Sequence, residues 1–244
     1  MSEILVDDEE IKQIPKGSVN AKLINIKGFE RMVRDMLKGG GVTSFVFGSS
    51  RSGKTTFLVN HFIPLFEEYT NVIAFLPNYS AKIYKPLKDI IILPELKDDI
   101  ISDVVKFQRD QMSLEGYNKL EDKPKWTFVL DDVTADLFKQ SPEVSRCYTT
   151  YRNVGISTIT AIQYVMMAKK ESRANVNISL YFKLNTPEAR LSVIKDHLPD
   201  LFVTPRGGEK MTNEKKADAY SALTRDYIVV SDNLNGQYYI LPRD

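Results

Sequence analysis

Residues Gly48-Ser49-Ser50-Arg51-Ser52-Gly53-Lys54-Thr55 have the G-x-x-x-x-G-K-[ST] spacing of a phosphate-binding loop. The chemistry follows from the residue types. The two glycines let backbone N–H groups turn inward around phosphate oxygens. Lys54 can reach the β- and γ-phosphates, and the Thr55 hydroxyl can hold Mg²⁺. The helix that follows presents its positive end to the same anion. Gly48 to Thr56 is therefore the expected nucleotide-binding set, with ATP and Mg²⁺ as its ligands.

A phosphate loop of this kind needs a carboxylate for its metal. Phe128-Val129-Leu130-Asp131-Asp132 supplies one, as an apolar run that ends in two acids. A strand would carry Asp131 to the sheet edge beside the loop, where it can hold Mg²⁺ together with Thr55. Asp132 can then face the γ-phosphate and accept a proton from an attacking water. The plainer alternative is a strand end followed by an aspartate helix cap at Asp132. A third candidate is Gln163, directly after Ile156–Ile162, where an amide can sense the γ-phosphate or orient water.

These groups need strands that end at one sheet edge. Val42–Phe47, Asn71–Leu76, Trp126–Leu130, Ile156–Ile162 and Ile178–Leu184 read as strands, with Ile90–Leu93 ambiguous. Helices are expected over 28–38, after the loop (Phe57, Leu58, Phe62, Leu65 and Phe66 at helical spacing), over 95–112 and from Pro187 to His197. Gly39-Gly40-Gly41 closes the first of them. Residues 1–20 read as a polar arm or tail, Gly116–Pro124 as an exposed loop, and 204–218 as a polar, mobile segment. Tyr227–Val230 and Gln237–Leu241 form an expected hairpin around Asn235-Gly236. The predicted fold is α/β: a P-loop NTPase of RecA/ASCE-like type, its mostly parallel sheet covered by helices on both faces, with a C-terminal β-hairpin. Residues 1–27 are expected as a partly disordered N-terminal arm and 28–244 as one ATPase domain.

Composition narrows the class. A chain of 244 residues that is 43% hydrophobic can bury a full core in one domain. No apolar run approaches a membrane span, and the acidic start, Met1 to Glu10, lacks the apolar stretch of a signal peptide. The single Cys147 suits a reducing compartment, and no Cys/His cluster suggests zinc. A net charge of +1 excludes a globally basic nucleic-acid binder, so any DNA contact must come from local patches or from several subunits together. Three patches qualify: Lys82, Lys85 and Lys88 beside Tyr79 and Tyr84; Lys169, Lys170 and Arg173; and Arg206, Lys210, Lys215 and Lys216.

Four stretches, Gly48–Thr55, Phe128–Asp132, Arg152–Thr158 leading to Gln163, and Arg173-Ala174-Asn175, together resemble the FtsK–HerA superfamily of DNA-translocating ATPases. Within it, the likeness is to the packaging ATPases of large double-stranded DNA viruses and virophages, over residues 42–200. The resemblance implies a homo-oligomeric ring acting on double-stranded DNA, with no membrane partner, a capsid vertex protein as a further partner, and a location in a viral factory of the host cytoplasm or in the virion. It also implies an arginine inserted from a neighbouring subunit; the candidates are Arg146, Arg152 and Arg173, with Arg190 behind them, and Arg152 and Arg173 hold the motif-like positions. Many relatives outside the viral branch carry Glu where this chain has Asp132, which implies a closer water here.

Other classes remain to be weighed. A small nucleotide or metabolite kinase is the main alternative; it needs an acceptor pocket and an arginine-rich lid. A GTPase needs Asn-Lys-x-Asp, and the nearest match, Asn118-Lys119-Leu120-Glu121, lacks the Asp and precedes Asp131. The acidic pair argues against a non-catalytic scaffold, and the Leu-Ser-Gly-Gly-Gln signature of ABC ATPases is absent.

Overall fold

Short runs of β-branched and aromatic residues in the middle of the sheet become strands buried on both faces, as their lack of polar alternation requires. In a computed structural model of the chain, residues 18–77, 80–113, 125–133, 140–163, 170–204 and 208–243 are described. The strands are β1 (Lys22–Leu23), β2 (Thr43–Phe47), β3 (Asn71–Phe75), β4 (Ile90–Leu93), β5 (Trp126–Leu130), β6 (Ile156–Ile162), β7 (Ile178–Tyr181), β8 (Tyr227–Asp232) and β9 (Gln237–Pro242). They form one sheet in the order β1-β9-β8-β7-β2-β6-β5-β3-β4. Pairing is parallel from β7 to β4, and antiparallel where the hairpin β8–β9 joins β7. The loop-bearing β2 is thus central, and β6 lies between it and the acid-bearing β5.

Side-chain alternation splits the core in two. Phe45, Phe47, Phe128, Leu130 and Tyr181 point to one face, against α4 (Asp98–Ser113), α5 (Pro142–Thr149), α7 (Pro187–Asp196) and α8 (Asn213–Asp226). Val46, Val129, Ile159 and Leu180 point to the other, against α1 (Ile26–Lys38), α2 (Lys54–Phe57), a π-helical turn (Leu58–Phe62) and α3 (Ile63–Glu67). The short α6 (Lys170–Ala174) leads into β7. Ring stacking of Phe45 on Tyr148 at 4.8 Å and Phe47 on Tyr181 at 5.0 Å fixes the first layer. Each fully buried Phe contributes about 1.5–3 kcal/mol. Cys147 belongs to this layer; burial pushes its thiol up to about 12, so it packs rather than reacts.

Local signals explain most boundaries. Asn25 caps α1 by accepting from the Gly28 N–H at 2.8 Å, which starts the helix two residues before position 28. Pro64 cannot donate to the carbonyl of Asn60, and the helix widens into its π turn just before that proline. Gly41 is required by close approach: a Cβ there would lie 2.2 Å from the Ile156 carbonyl oxygen and 2.8 Å from Arg152 Cα. Its N–H donates to the Arg152 carbonyl at 3.3 Å, which ties the 3₁₀ turn Tyr151–Val154 to the start of β2.

Three expectations differ from the structure. Residues 213–218, placed in a mobile segment, form the first turns of α8, capped by Thr212. Residues 18–27 of the expected arm are ordered against the domain: Val19 makes an isolated bridge with Phe202, β1 (Lys22–Leu23) pairs with β9, and α1 begins at Ile26. The strand expected to run to Leu184 ends at Tyr181. Residues 1–17 and the loop Gly116–Pro124 lie outside the described residues.

Candidate nucleotide site

The loop leaves β2 at Phe47 and re-enters helix at Lys54. Gly48 donates to the Ile162 carbonyl at 3.1 Å, and a Cβ on it would meet both Phe182 Cβ and Ser52 Oγ at 2.7 Å. Ser49 is held from the β7 side: its N–H donates to the Lys183 carbonyl at 3.0 Å, and its hydroxyl accepts from the Asn185 N–H at 2.9 Å. Arg51 (φ 61°) and Gly53 (φ 88°) are both left-handed. Such residues alternating with right-handed ones curl successive N–H groups into an anion nest. A left-handed non-glycine costs about 1–3 kcal/mol, so Arg51 marks strain kept for function.

Lys54 is buried, and its Nζ donates to the carbonyls of Gly48 at 2.6 Å and Ser49 at 3.2 Å. Burial lowers its pKa, while Asp131 and Asp132 pull it back up. The cation is therefore parked on the loop's own carbonyls, poised for a stronger anionic partner.

Asp131 follows β5, and its N–H donates to the Phe75 carbonyl at 3.2 Å. Its Oδ2 accepts from the Thr55 hydroxyl at 3.1 Å and the Tyr84 hydroxyl at 2.8 Å. Its Oδ1 is buried and has no hydrogen-bond partner among the described residues. Burial raises the Asp131 pKa, Asp132 adds to this, and Tyr84, Thr55 and Lys54 oppose it. A buried carboxylate with one orphan oxygen beside a threonine hydroxyl is the hard oxygen donor set that Mg²⁺ accepts, so these residues fit that ion.

Asp132 is left-handed at φ 56°, unlike the extended backbone of a helix N-cap. Its Oδ1 accepts from Gln163 Nε2 at 3.0 Å, and its Oδ2 from the Ser80 hydroxyl at 3.4 Å. The Gln163 Oε1 in turn accepts from the Ser50 hydroxyl at 3.3 Å. Acid, amide and loop are thus joined in one chain of hydrogen bonds, because β6 delivers Gln163 between β2 and β5. Ser80 and Tyr84, on the turn after β3, were missed; no motif marks them, and Tyr84 stood out only as an aromatic among lysines.

The four candidate arginines do not reach this centre in their own chain. Arg152 precedes β6, so the seven-residue strand separates it from Gln163 by about 20 Å. Its half-buried guanidinium makes no hydrogen bond or ion pair among the described residues. Arg146 is paired with Glu143, and Arg190 donates to the Leu184 carbonyl and Ser221 hydroxyl, both at 3.4 Å. Arg173 Nη1 lies 3.5 Å from Nε2 of His197, whose ring packs edge-on to Phe47 at 4.9 Å and whose Nδ1 is 3.3 Å from the Tyr181 hydroxyl. The arginine that does touch the loop is Arg243, which donates to the Ser52 carbonyl.

Burial first, and then the Arg173 charge, lower the His197 pKa to about 4, with Asp196 opposing. The unfolded chain therefore binds an extra proton between pH 6.5 and 4, and stability falls as pH drops through that window. The expected loss is up to about 3 kcal/mol. Chemical denaturation at pH 7 and pH 4.5 should show it, and His197→Phe should flatten the slope.

Among the lysine patches, Lys82, Lys85 and Lys88 are exposed and make no side-chain hydrogen bond or ion pair among the described residues. Lys215 pairs with Glu209 at 3.2 Å, and Lys216 donates to the Pro199 carbonyl at 3.1 Å. Tyr79, Lys169, Arg206 and the side chain of Lys170 lie outside the described residues.

No sequence-family model and no curated protein sequence matches the chain. Solved structures share its fold. The genome packaging NTPase B204 from Sulfolobus turreted icosahedral virus 2, in complex with AMP, superposes with a TM-score of 0.56 at 13% identity, over 82% of this chain and 96% of that one. The pCW3 conjugation coupling protein TcpA gives 0.56 at 12% identity, over 86% and 62%. EssC (ATPases 2 and 3) from Geobacillus thermodenitrificans gives 0.50 at 16% identity, over 84% and 40%. At such identities the likeness is one of fold: the α/β architecture with its mostly parallel sheet and C-terminal hairpin is the P-loop ATPase fold expected, and it resembles that of a viral packaging NTPase.

Proposed function

We propose that this chain is an ATPase that couples hydrolysis to translocation of double-stranded DNA, as the packaging motor of a viral genome. The observation that carries hydrolysis is the chain Ser50–Gln163–Asp132, which connects a candidate base to the phosphate loop through a polar amide. In this reading Lys54 leaves the loop carbonyls for the β- and γ-phosphate oxygens. Thr55 and Asp131 would hold Mg²⁺, which supplies charge neutralisation at those oxygens. Asp132 takes the proton from the attacking water, and Gln163 orients that water. The fold shared with B204 supports packaging as the task. A ring would bring Arg152 of one subunit to the loop of the next.

The exposed lysine turn supports DNA as the partner. Ser80 and Tyr84 lie on the same short segment as Lys82 and touch Asp132 and Asp131 respectively. Phosphates drawn to Lys82, Lys85 and Lys88 would therefore load a turn that grips both acids. ATP hydrolysis measured with and without double-stranded DNA tests the whole reading. Wild type should be stimulated, and the triple Lys82→Ala, Lys85→Ala, Lys88→Ala variant should keep basal turnover and lose stimulation. Absence of stimulation together with phosphate transfer to a small acceptor would make the protein a kinase instead.

A further inference from the structure

The last residues of the chain reach back to its phosphate loop, a contact across 191 positions. Arg243 follows β9, and its Nη2 donates to the Ser52 carbonyl. The side chain is held on three sides. Its Nη1 donates to the Thr224 carbonyl at 3.2 Å, its backbone N–H donates to the Asp226 carbonyl at 2.8 Å, and its guanidinium lies 5.6 Å over the Phe182 ring. Phe182 itself braces the loop, since its Cβ is what a side chain at Gly48 would strike. At Gly53 the same is true of Arg243: an added Cβ would lie 2.9 Å from Nη2.

The Ser52–Gly53 peptide is trans, so its C=O and N–H point in opposite directions. A guanidinium that draws the Ser52 carbonyl outward necessarily aims the Gly53 N–H inward. That N–H makes no hydrogen bond among the described residues. Gly53 also lacks the steric restraint that would otherwise hold a left-handed backbone in one orientation. We infer that Arg243 is a positioning residue that locks the Ser52–Gly53 peptide so that the Gly53 N–H is presented to the β-phosphate of a bound nucleotide. The inference rests on the nucleotide reading above and adds to it a part played in the same chain by the C-terminal strand.

The role predicts a selective defect. Because the Gly53 N–H serves the β-phosphate, Arg243→Ala should weaken ADP about ten- to hundredfold, the range for a lost hydrogen bond to a charged group. AMP affinity should stay within about twofold, because AMP carries no β-phosphate. Arg243→Lys keeps a charged donor and should recover part of the ADP affinity. Phe182→Leu removes the ring beneath the guanidinium but keeps Cβ, and it should produce a smaller loss of the same ADP-selective kind. Binding titrations with ADP and AMP, alongside nucleotide-free melting, decide the matter. Unchanged ADP affinity in folded Arg243→Ala, or equal losses for ADP and AMP in either variant, would overturn the assignment. Wild type that binds neither nucleotide would instead overturn the reading beneath it.

Discussion

Asp132→Asn should lower ATP turnover by about 10²–10⁴, the usual share of a general base, while leaving affinity for a non-hydrolysable ATP analogue within a few-fold. The substitution is nearly isosteric, and asparagine is among the residues that tolerate a left-handed backbone, so the φ of 56° survives it. The amide can still accept from Gln163, so the link to Ser50 need not break. What is lost is the capacity to take a proton. Phosphate release and analogue binding measured on the same preparation separate this from a binding defect. Lys54→Ala is the contrast, because in the proposed reading the lysine moves from the loop carbonyls to the phosphates, and it should lose binding as well as turnover. Turnover within tenfold of wild type in Asp132→Asn would remove Asp132 from the role of base. Gln163 or a water chain would then have to be reconsidered.

The parts of this site that could be read in the sequence are those whose signal is local. The loop is a contiguous octet, and Asp131-Asp132 and Gln163 directly follow runs rich in β-branched and aromatic residues that match β5 and β6 residue for residue. A strand's last residue must emerge at the sheet edge, so placing the strand places the acid. Tyr84 and Arg243 carry no such mark. Tyr84 meets Asp131 across 47 positions, and Arg243 meets Ser52 across almost the whole chain. Both depend on where β3 and β9 fall in the sheet order, which periodicity does not encode. α8 was hidden for a different reason. Its buried positions Ala217, Tyr220, Leu223 and Thr224 have helical spacing, but small and polar-tipped residues make a weak stripe, and the charged Glu214-Lys215-Lys216 run dominates its start. The arginines show the limit of motif position as evidence. Arg152 and Arg173 hold comparable places before β6 and β7, the parallel strands that flank β2, yet Arg173 lies against His197 and Arg152 has no such partner among the described residues.

That difference decides which arginine should act between subunits. Arg152 sits at the far end of β6 from its own Gln163, and the turn that carries it is tied to Gly41 by a contact that admits no side chain. It cannot swing about 20 Å to its own loop without dismantling the start of β2. Arg146 and Arg190 would each have to give up hydrogen bonds already made, and Arg173 its place beside His197. Arg152→Ala should therefore fold normally, bind nucleotide, and lose about 10³–10⁵ in turnover, the range for an arginine finger. The decisive measurement is mixing. Arg152→Ala and Asp132→Asn should each be inactive alone, but the proposed ring, built from both, would place an intact Arg152 beside an intact Asp132 at about a quarter of its head-to-tail interfaces. Activity should reappear in proportion. Wild-type turnover in Arg152→Ala alone, or no recovery in mixed rings shown to contain both variants, would exclude Arg152 and leave a neighbour's Arg173, once released from His197, as the next residue to exchange.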